Sequence, residues 1–230
     1  GARMGTGQMA GIDAGQYSKG DEIPFVRRDQ PKGAVCASLI LAHGAGAPMD
    51  SPFMEQMTER LVARGVAVFR FEFAYMARRR IDERKRPPNP QPQLLQQWRA
   101  VYRTVRQQTA GRLAICGKSM GGRMASMLAD ELAVDALVCL GYPFHAVGNP
   151  EKPRVAHLAE LRTPTLIIQG ERDALGNRDT VAGYSLSSAI RLDWLMAADH
   201  DLKPLKRSGF THEQSLDKAA DAIAAFLGSL

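Results

Sequence analysis

The residues with the clearest capacity for chemistry lie in the stretch Leu113-Ala-Ile-Cys-Gly-Lys-Ser-Met-Gly-Gly122. Ser119 stands midway between Gly117 and Gly121, the Gly-x-Ser-x-Gly spacing of a nucleophile elbow. The apolar run from Leu113 to Cys116 reads as a buried strand that stops at Gly117, and Arg123 to Leu132 reads as a helix. Ser119 therefore occupies a sharp strand-to-helix turn, where its hydroxyl can stand clear of a sheet. A Cβ at position 117 or 121 would crowd the crossing of strand and helix. The helix start adds free N–H groups that favour negative charge beside the serine. Gly117-Lys118-Ser119 also matches the end of a phosphate-binding P-loop, but that motif needs a glycine at 112, where Arg112 stands, with Gly111 one residue out of register.

A serine in such a turn needs partners, and the flanking elements say where they converge. Ala34 to Ala42 is a continuous apolar strand followed by His43-Gly-Ala-Gly-Ala47, a tight loop able to aim an N–H at a developing oxyanion. A helix is expected from the Met49-Asp-Ser-Pro52 start to about Arg64, closed by Gly65. Val66 to Phe73 is the next strand. After it, the arginine-rich run and Pro87 to Pro92 read as one long loop, because proline density opposes a helix. An amphipathic helix spans Leu94 to about Gln108 and precedes the Ser119 elbow. Further strands are Ala136 to Gly141, Thr165 to Gln169 and Ile190 to Met196, with a short helix over Arg178 to Leu186 and a terminal helix over Thr211 to Leu227, capped by Thr211. Ile23 to Arg28 is a candidate edge strand.

Strands alternating with helices give a mostly parallel sheet covered on both faces, with its site at the carboxyl ends of the strands. Ser119, the His43 loop, Tyr142 to His145, Asp173 and His200 all follow such ends, so they converge on one edge.

The chain has 230 residues, 45% of them hydrophobic, which suits one α/β domain over residues 21–230 behind a glycine-rich flexible tail at 1–20. No run has the length of a membrane span or the form of a signal peptide. Cys36, Cys116 and Cys139 are odd in number and lie in or beside apolar runs, which predicts buried, reduced thiols in a cytoplasmic protein. The +6 net charge permits anionic partners, but only Arg78 to Arg86 is strongly basic and no nucleic-acid motif accompanies it. No histidine, cysteine or carboxylate cluster has metal-ligand spacing, so neither metal nor cofactor is expected.

These motifs resemble the α/β-hydrolase family from about residue 34 onward. His43-Gly-Ala-Gly with Met49-Asp-Ser-Pro, Gly-Lys-Ser-Met-Gly-Gly and Asp-His-Asp-Leu are similar to a serine-nucleophile group near the dienelactone hydrolases, some animal relatives of which are chromatin-complex subunits. The order Ser119, Asp173, His200 is that family's order of nucleophile, acid and base. The resemblance implies a serine hydrolase with Ser119 attacking a carbonyl, His200 taking its proton and Asp173 holding the imidazole. Asp199 and Asp201 are the alternative acids. The N–H groups of Met120 and Ala45 are the expected oxyanion donors, and His43, Gly44, Tyr75, Tyr142, Phe144 and His145 the expected pocket residues. His157 and His212 read as exposed, and Lys118 is expected to face away from the acyl group.

The expected partner is a small ester or acyl substrate; nucleic acid and membrane are not, and nothing indicates a protein partner. A catalytically silent scaffold of the same fold is the alternative. The arginine run follows a strand's carboxyl end and so could enrich anionic substrates at the mouth. The connection from Gly141 to Thr165 contains Pro143, Pro150, Pro153 and Pro164 and has room for one short helix, Arg154 to Leu161, so no separate cap domain is expected.

Overall fold

The computed structural model describes residues 8–10 and 24–230. Its strands are β1 (Gln8–Ala10), β2 (Val26–Asp29), β3 (Ala37–Ala42), β4 (Val66–Phe71), β5 (Leu113–Lys118), β6 (Ala136–Leu140), β7 (Thr165–Gly170) and β8 (Ile190–Leu195). Among the described residues they form one sheet in the order β1-β2-β4-β3-β5-β6-β7-β8. β2 runs antiparallel to β1 and β4, and the strands from β4 to β8 are parallel. Every residue of β3, β4, β5, β6 and β7 is buried. That is the pattern of a parallel sheet covered on both faces, and it explains why these strands read as unbroken apolar runs.

The covers are helices α1 (Pro52–Ala63), α2 (Ala74–Asp82), α3 (Gln91–Gln108), α4 (Met120–Leu132), α5 (Arg178–Val181) and α6 (His212–Gly228). α1 and α6 bury Met54, Leu61, Leu216 and Ile223 against one face. α3 and α4 bury Trp98, Val101, Met124 and Leu128 against the other. Local signals fix their ends. Ser51 caps α1 with Pro52 in its first turn, and Thr211 and Gln214 form a capping box on α6.

Several expectations are corrected. β3 begins at Ala37, so Cys36 lies outside the sheet and is exposed, while Cys116 and Cys139 are buried. The stretch after β4 is not one long loop: Ala74–Asp82 is helical, with Tyr75 and Met76 buried. The prolines that oppose a helix start only at Pro87, and Pro92 sits in the first turn of α3, where no N–H is needed. The connection from β6 to β7 holds a 3₁₀ turn, Ala156–Ala159, rather than an α-helix from Arg154 to Leu161. α5 ends at Val181 rather than Leu186, and β8 at Leu195 rather than Met196. β2 is not an edge strand, because Gln8–Ala10, within the stretch read as a tail, pair with it. The rest of residues 1–20 lies outside the described residues.

Candidate active site

Ser119 opens α4 with φ 49° and ψ −117°, a left-handed backbone that a non-glycine residue adopts only under constraint. The constraint is close packing. A Cβ on Gly117 would lie 2.2 Å from Gly121 C and Gly122 N, and one on Gly121 would lie 2.4 Å from His43 O. The Ser119 N–H is anchored to Leu140 O at 2.9 Å, tying the turn to the end of β6. The indole of Trp98 donates to Gly121 O at 3.1 Å and braces the turn from α3.

Beyond β8 the chain turns through Ala197 to Leu202 and brings the His200 ring to the serine. His200 Nε2 lies 2.8 Å from Ser119 Oγ, and His200 Nδ1 lies 2.8 Å from Asp173 Oδ2. Asp173, fully buried at the end of β7, also accepts from Leu175 N at 2.8 Å and from Gln169 Nε2 at 3.1 Å. A carboxylate with these three donors can bind only the N–H tautomer at Nδ1, which leaves Nε2 as an acceptor for the hydroxyl proton. The alternative acids are occupied elsewhere. Asp199 Oδ1 accepts from Asp201 N at 2.8 Å and Lys203 N at 3.0 Å, closing its own turn. Asp201 is exposed and pairs with Lys118 at 3.3 Å.

A cavity of about 310 Å³ opens at Ser119 and His200. Its walls are the Gly44–Ala47 loop, Ser51, Phe53 and Met54 at the start of α1, Lys118 and Asp201. Gly44, an expected pocket residue, lines it, as does Ala45, which was expected as an oxyanion donor. The other expected pocket residues do not. His43, Tyr75, Tyr142, Phe144 and His145 are all buried beneath the surface and do not line this cavity. Tyr142 and Phe144 turn inward because their rings pack on each other at 4.7 Å, and Tyr142 Oη donates to Arg154 O at 2.9 Å. His157 and His212 are half-buried rather than exposed. His157 Nε2 meets Ser126 Oγ at 2.8 Å, and His212 Nε2 lies 3.0 Å from Asp201 O.

The buried side chains shape the loop instead. His43 Nε2 accepts from Phe73 N at 3.1 Å, so its Nδ1–H donates to Gly44 O at 2.6 Å. Burial pulls the His43 pKa below its ordinary value, keeping the ring neutral. Tyr75 Oη donates to Ala45 O at 2.8 Å. Behind the loop, Glu72 accepts from Met49 N at 3.1 Å and pairs with Arg80, which also binds Asp50 at 2.5 Å. With its carbonyls held on this side, the loop is fixed against the elbow: a Cβ on Gly44 would lie 3.6 Å from Ser119 Cβ. The Met120 N–H opens α4, where no preceding turn offers an acceptor.

Two polar residues of the site escaped the sequence reading. Lys118 does not face away. Its Nζ donates to His200 O at 3.0 Å and sits 5.4 Å from the Phe53 ring centroid, and burial lowers its pKa against the pull of Asp201. Gln169 is fully buried, accepts from Tyr142 N at 2.8 Å and donates to Asp173. Both were visible as single polar residues inside otherwise apolar or glycine-rich strand ends. Among the described residues no group of three or more His, Cys, Asp and Glu could hold a metal ion, and no helix is long and apolar enough to cross a membrane.

Comparison with known proteins gives the same frame. A serine hydrolase without a lid from Xanthomonas campestris superposes with a TM-score of 0.66 at 19% identity, covering 89% of this chain and 88% of its own. A serine hydrolase homologue from Coxiella burnetii gives 0.66 at 18% identity over 90% of both chains. A dienelactone hydrolase from Anabaena variabilis gives 0.65 at 22% identity, over 96% of this chain and 97% of that one. At these identities the likeness is one of fold. A family model for the alpha/beta hydrolase domain matches residues 35–228, and the chain is a hydrolase belonging to that family.

Proposed function

We propose that this protein cleaves an ester or related acyl bond of a small substrate through an acyl-enzyme on Ser119. The observation that carries this reading is the unbroken hydrogen-bonded chain Ser119–His200–Asp173 at the mouth of a cavity, with 2.8 Å at each step. In the proposed reaction, His200 Nε2 takes the Ser119 hydroxyl proton as Oγ attacks the substrate carbonyl. The N–H groups of Met120 and Ala45 stabilise the resulting oxyanion. Asp173 holds the ring tautomer and stabilises the imidazolium. The imidazolium then gives its proton to the departing alcohol, leaving acyl-Ser119. Water attacks the acyl carbon with His200 again accepting a proton, which it returns to Ser119 Oγ as the acid leaves.

The cavity limits the substrate. At about 310 Å³ it lies at the small end of ligand pockets, and its floor is a glycine and alanine loop with Phe53 and Met54. Each buried methylene is worth about 0.8 kcal/mol, roughly fourfold in kcat/KM, until the pocket is full. The relatives named above as a lidless serine hydrolase and a dienelactone hydrolase support small substrates and an open site. A panel of p-nitrophenyl esters of graded length tests the proposal. We expect kcat/KM to peak between acetyl and butyryl. A maximum at dodecanoyl or longer would overturn the substrate class, and inertness to every ester by folded protein would favour the non-catalytic scaffold.

A further inference from the structure

Gln169, near the end of β7, is fully buried, and both ends of its amide are engaged behind the triad. Where β6 and β7 end, Gly141 N–H donates to Ile168 O at 2.9 Å. One residue further on, the Gln169 side chain takes over the pairing. Its Oε1 accepts from Tyr142 N at 2.8 Å, and its Nε2 donates to Tyr142 O at 3.0 Å. This reciprocal pair fixes which end of the amide carries the hydrogens. Nε2 also lies 3.1 Å from Gly176 O and 3.1 Å from Asp173 Oδ2. Two hydrogens thus face three oxygens, and the carboxylate is the charged acceptor among them.

The strand ends tied in this way are those on which the base rests. Gly141 has φ 66°, and a Cβ there would lie 2.7 Å from His200 O and 3.4 Å from His200 Cε1. A Cβ on Gly170 would lie 2.3 Å from Asp199 O. The turn that carries His200 therefore sits directly on the ends of β6 and β7, and Gln169 joins those ends to each other and to the acid. Its contact with the acid is at Oδ2, the oxygen that also meets His200 Nδ1 at 2.8 Å. An amide nitrogen only donates, so a proton on Oδ2 would set donor against donor. A donor at Oδ2 also weakens that oxygen's pull on the Nδ1 proton.

We propose that Gln169 is a positioning residue for the hydrolysis: it keeps Asp173 Oδ2 unprotonated and aimed at His200, so that the imidazolium proton stays on the ring while the acyl group is transferred. The inference rests on the reading of Ser119, His200 and Asp173 as a triad, and it adds a residue outside the acyl cavity, whose walls do not include Gln169.

The test compares Gln169→Met, Gln169→Asn and Gln169→Glu with wild type, each alone and combined with Asp173→Asn, on a short p-nitrophenyl ester. Gln169→Met keeps the side chain's length without its donors, Gln169→Asn withdraws the amide, and Gln169→Glu sets an acceptor against Oδ2. Thermal melts select the variants that fold. We expect each folded single variant to lower kcat about tenfold or more, with KM within about twofold of wild type. In the Asp173→Asn background the same change should lower kcat by less than about twofold, because the carboxylate through which Gln169 acts is gone. A purely structural role would give the same factor in both backgrounds. That result, an unchanged kcat, or unfolding of all three variants would overturn the proposal. Proton NMR of the resting protein separates this inference from the reading of the site. The downfield resonance of the His200 Nδ1 proton, assigned by its absence from His200→Ala, should move or vanish in Gln169→Met. If wild type cleaves no ester while that resonance responds, the acyl reading fails and the hydrogen-bond role stands. If wild type cleaves esters and neither kcat nor the resonance responds to Gln169→Met, the positioning role fails alone.

Discussion

Three aspartates surround His200 in sequence or space, and their hydrogen bonds distinguish them. Asp173 gives both oxygens to the site, one of them to His200 Nδ1, whereas Asp199 closes a turn. Asp173→Asn replaces an acceptor with an amide and favours the wrong imidazole tautomer, so kcat should fall by roughly 10³- to 10⁴-fold. Asp199→Asn should leave kcat within a fewfold and lower stability by about 1 kcal/mol. Steady-state kinetics with thermal melts separates the two, and a larger kcat loss in Asp199→Asn would reverse the assignment. Lys118, next to Ser119, donates to the backbone of His200 at 3.0 Å, so under the proposed mechanism it acts as a positioning residue. Lys118→Met keeps most of the packing against Phe53 but frees the His200 turn. We expect kcat to fall about tenfold, as for one lost charged hydrogen bond, with KM for a neutral ester unchanged. A change confined to KM would instead make Lys118 a substrate contact.

At the scale of elements, the loop after β3 is held by α2 and the end of β4. Tyr75→Phe removes the hydroxyl bond to Ala45 O and leaves the buried ring in place. A slackened loop should lower kcat several-fold to tenfold with Tm shifted by only a few degrees. His43 supplies a pH signature. Its pKa is lowered in the folded state by burial, from an ordinary 6.5. The unfolded chain therefore takes up the proton first, so this contribution to stability is complete above pH 6.5 and is lost as pH falls toward the folded pKa. Across that window the slope can reach about 1.4 kcal/mol per pH unit. Unfolding of His43→Gln should depend less steeply on pH there than wild type, while His157, lowered in the same direction, contributes equally to both. Parallel slopes would show that His43 does not titrate with unfolding.

These elements also show where sequence was legible. The five central strands were readable because burial on both faces leaves unbroken apolar runs. The meeting of Ser119, Asp173 and His200 was readable because a parallel sheet gathers its strand ends on one edge. That rule says which edge a residue occupies, not which way its side chain turns. Tyr142 and Phe144 are at the correct edge and point inward, while the cavity walls include Phe53 and Met54, which carry no motif of their own, and Lys118, an unspecified position within the elbow. Helix α2 was hidden by the arginine run, since its buried stripe is confined to Tyr75 and Met76. Within that run Arg80 is already paired with Glu72 and Asp50, which leaves it little freedom to steer an anionic substrate.

Across the whole molecule, nothing large among the described residues is inserted over the site: the 141–164 connection contributes a single 3₁₀ turn, and α2 packs beside the loop. With no lid to displace, hydrolysis of a short ester should rise hyperbolically through the substrate's solubility limit, with no jump when droplets form. A sharp increase at that point would mean that the 83–90 segment or a neighbour acts as a movable cover. The central claim, that Ser119 is the nucleophile of a hydrolase, is tested most directly by a fluorophosphonate probe read by intact mass and peptide mapping. The account predicts one adduct, on Ser119, formed rapidly by wild type, slowly by Asp173→Asn and not at all by folded Ser119→Ala. Labelling of Ser119→Ala at the wild-type rate, or no labelling of folded wild type, would contradict it.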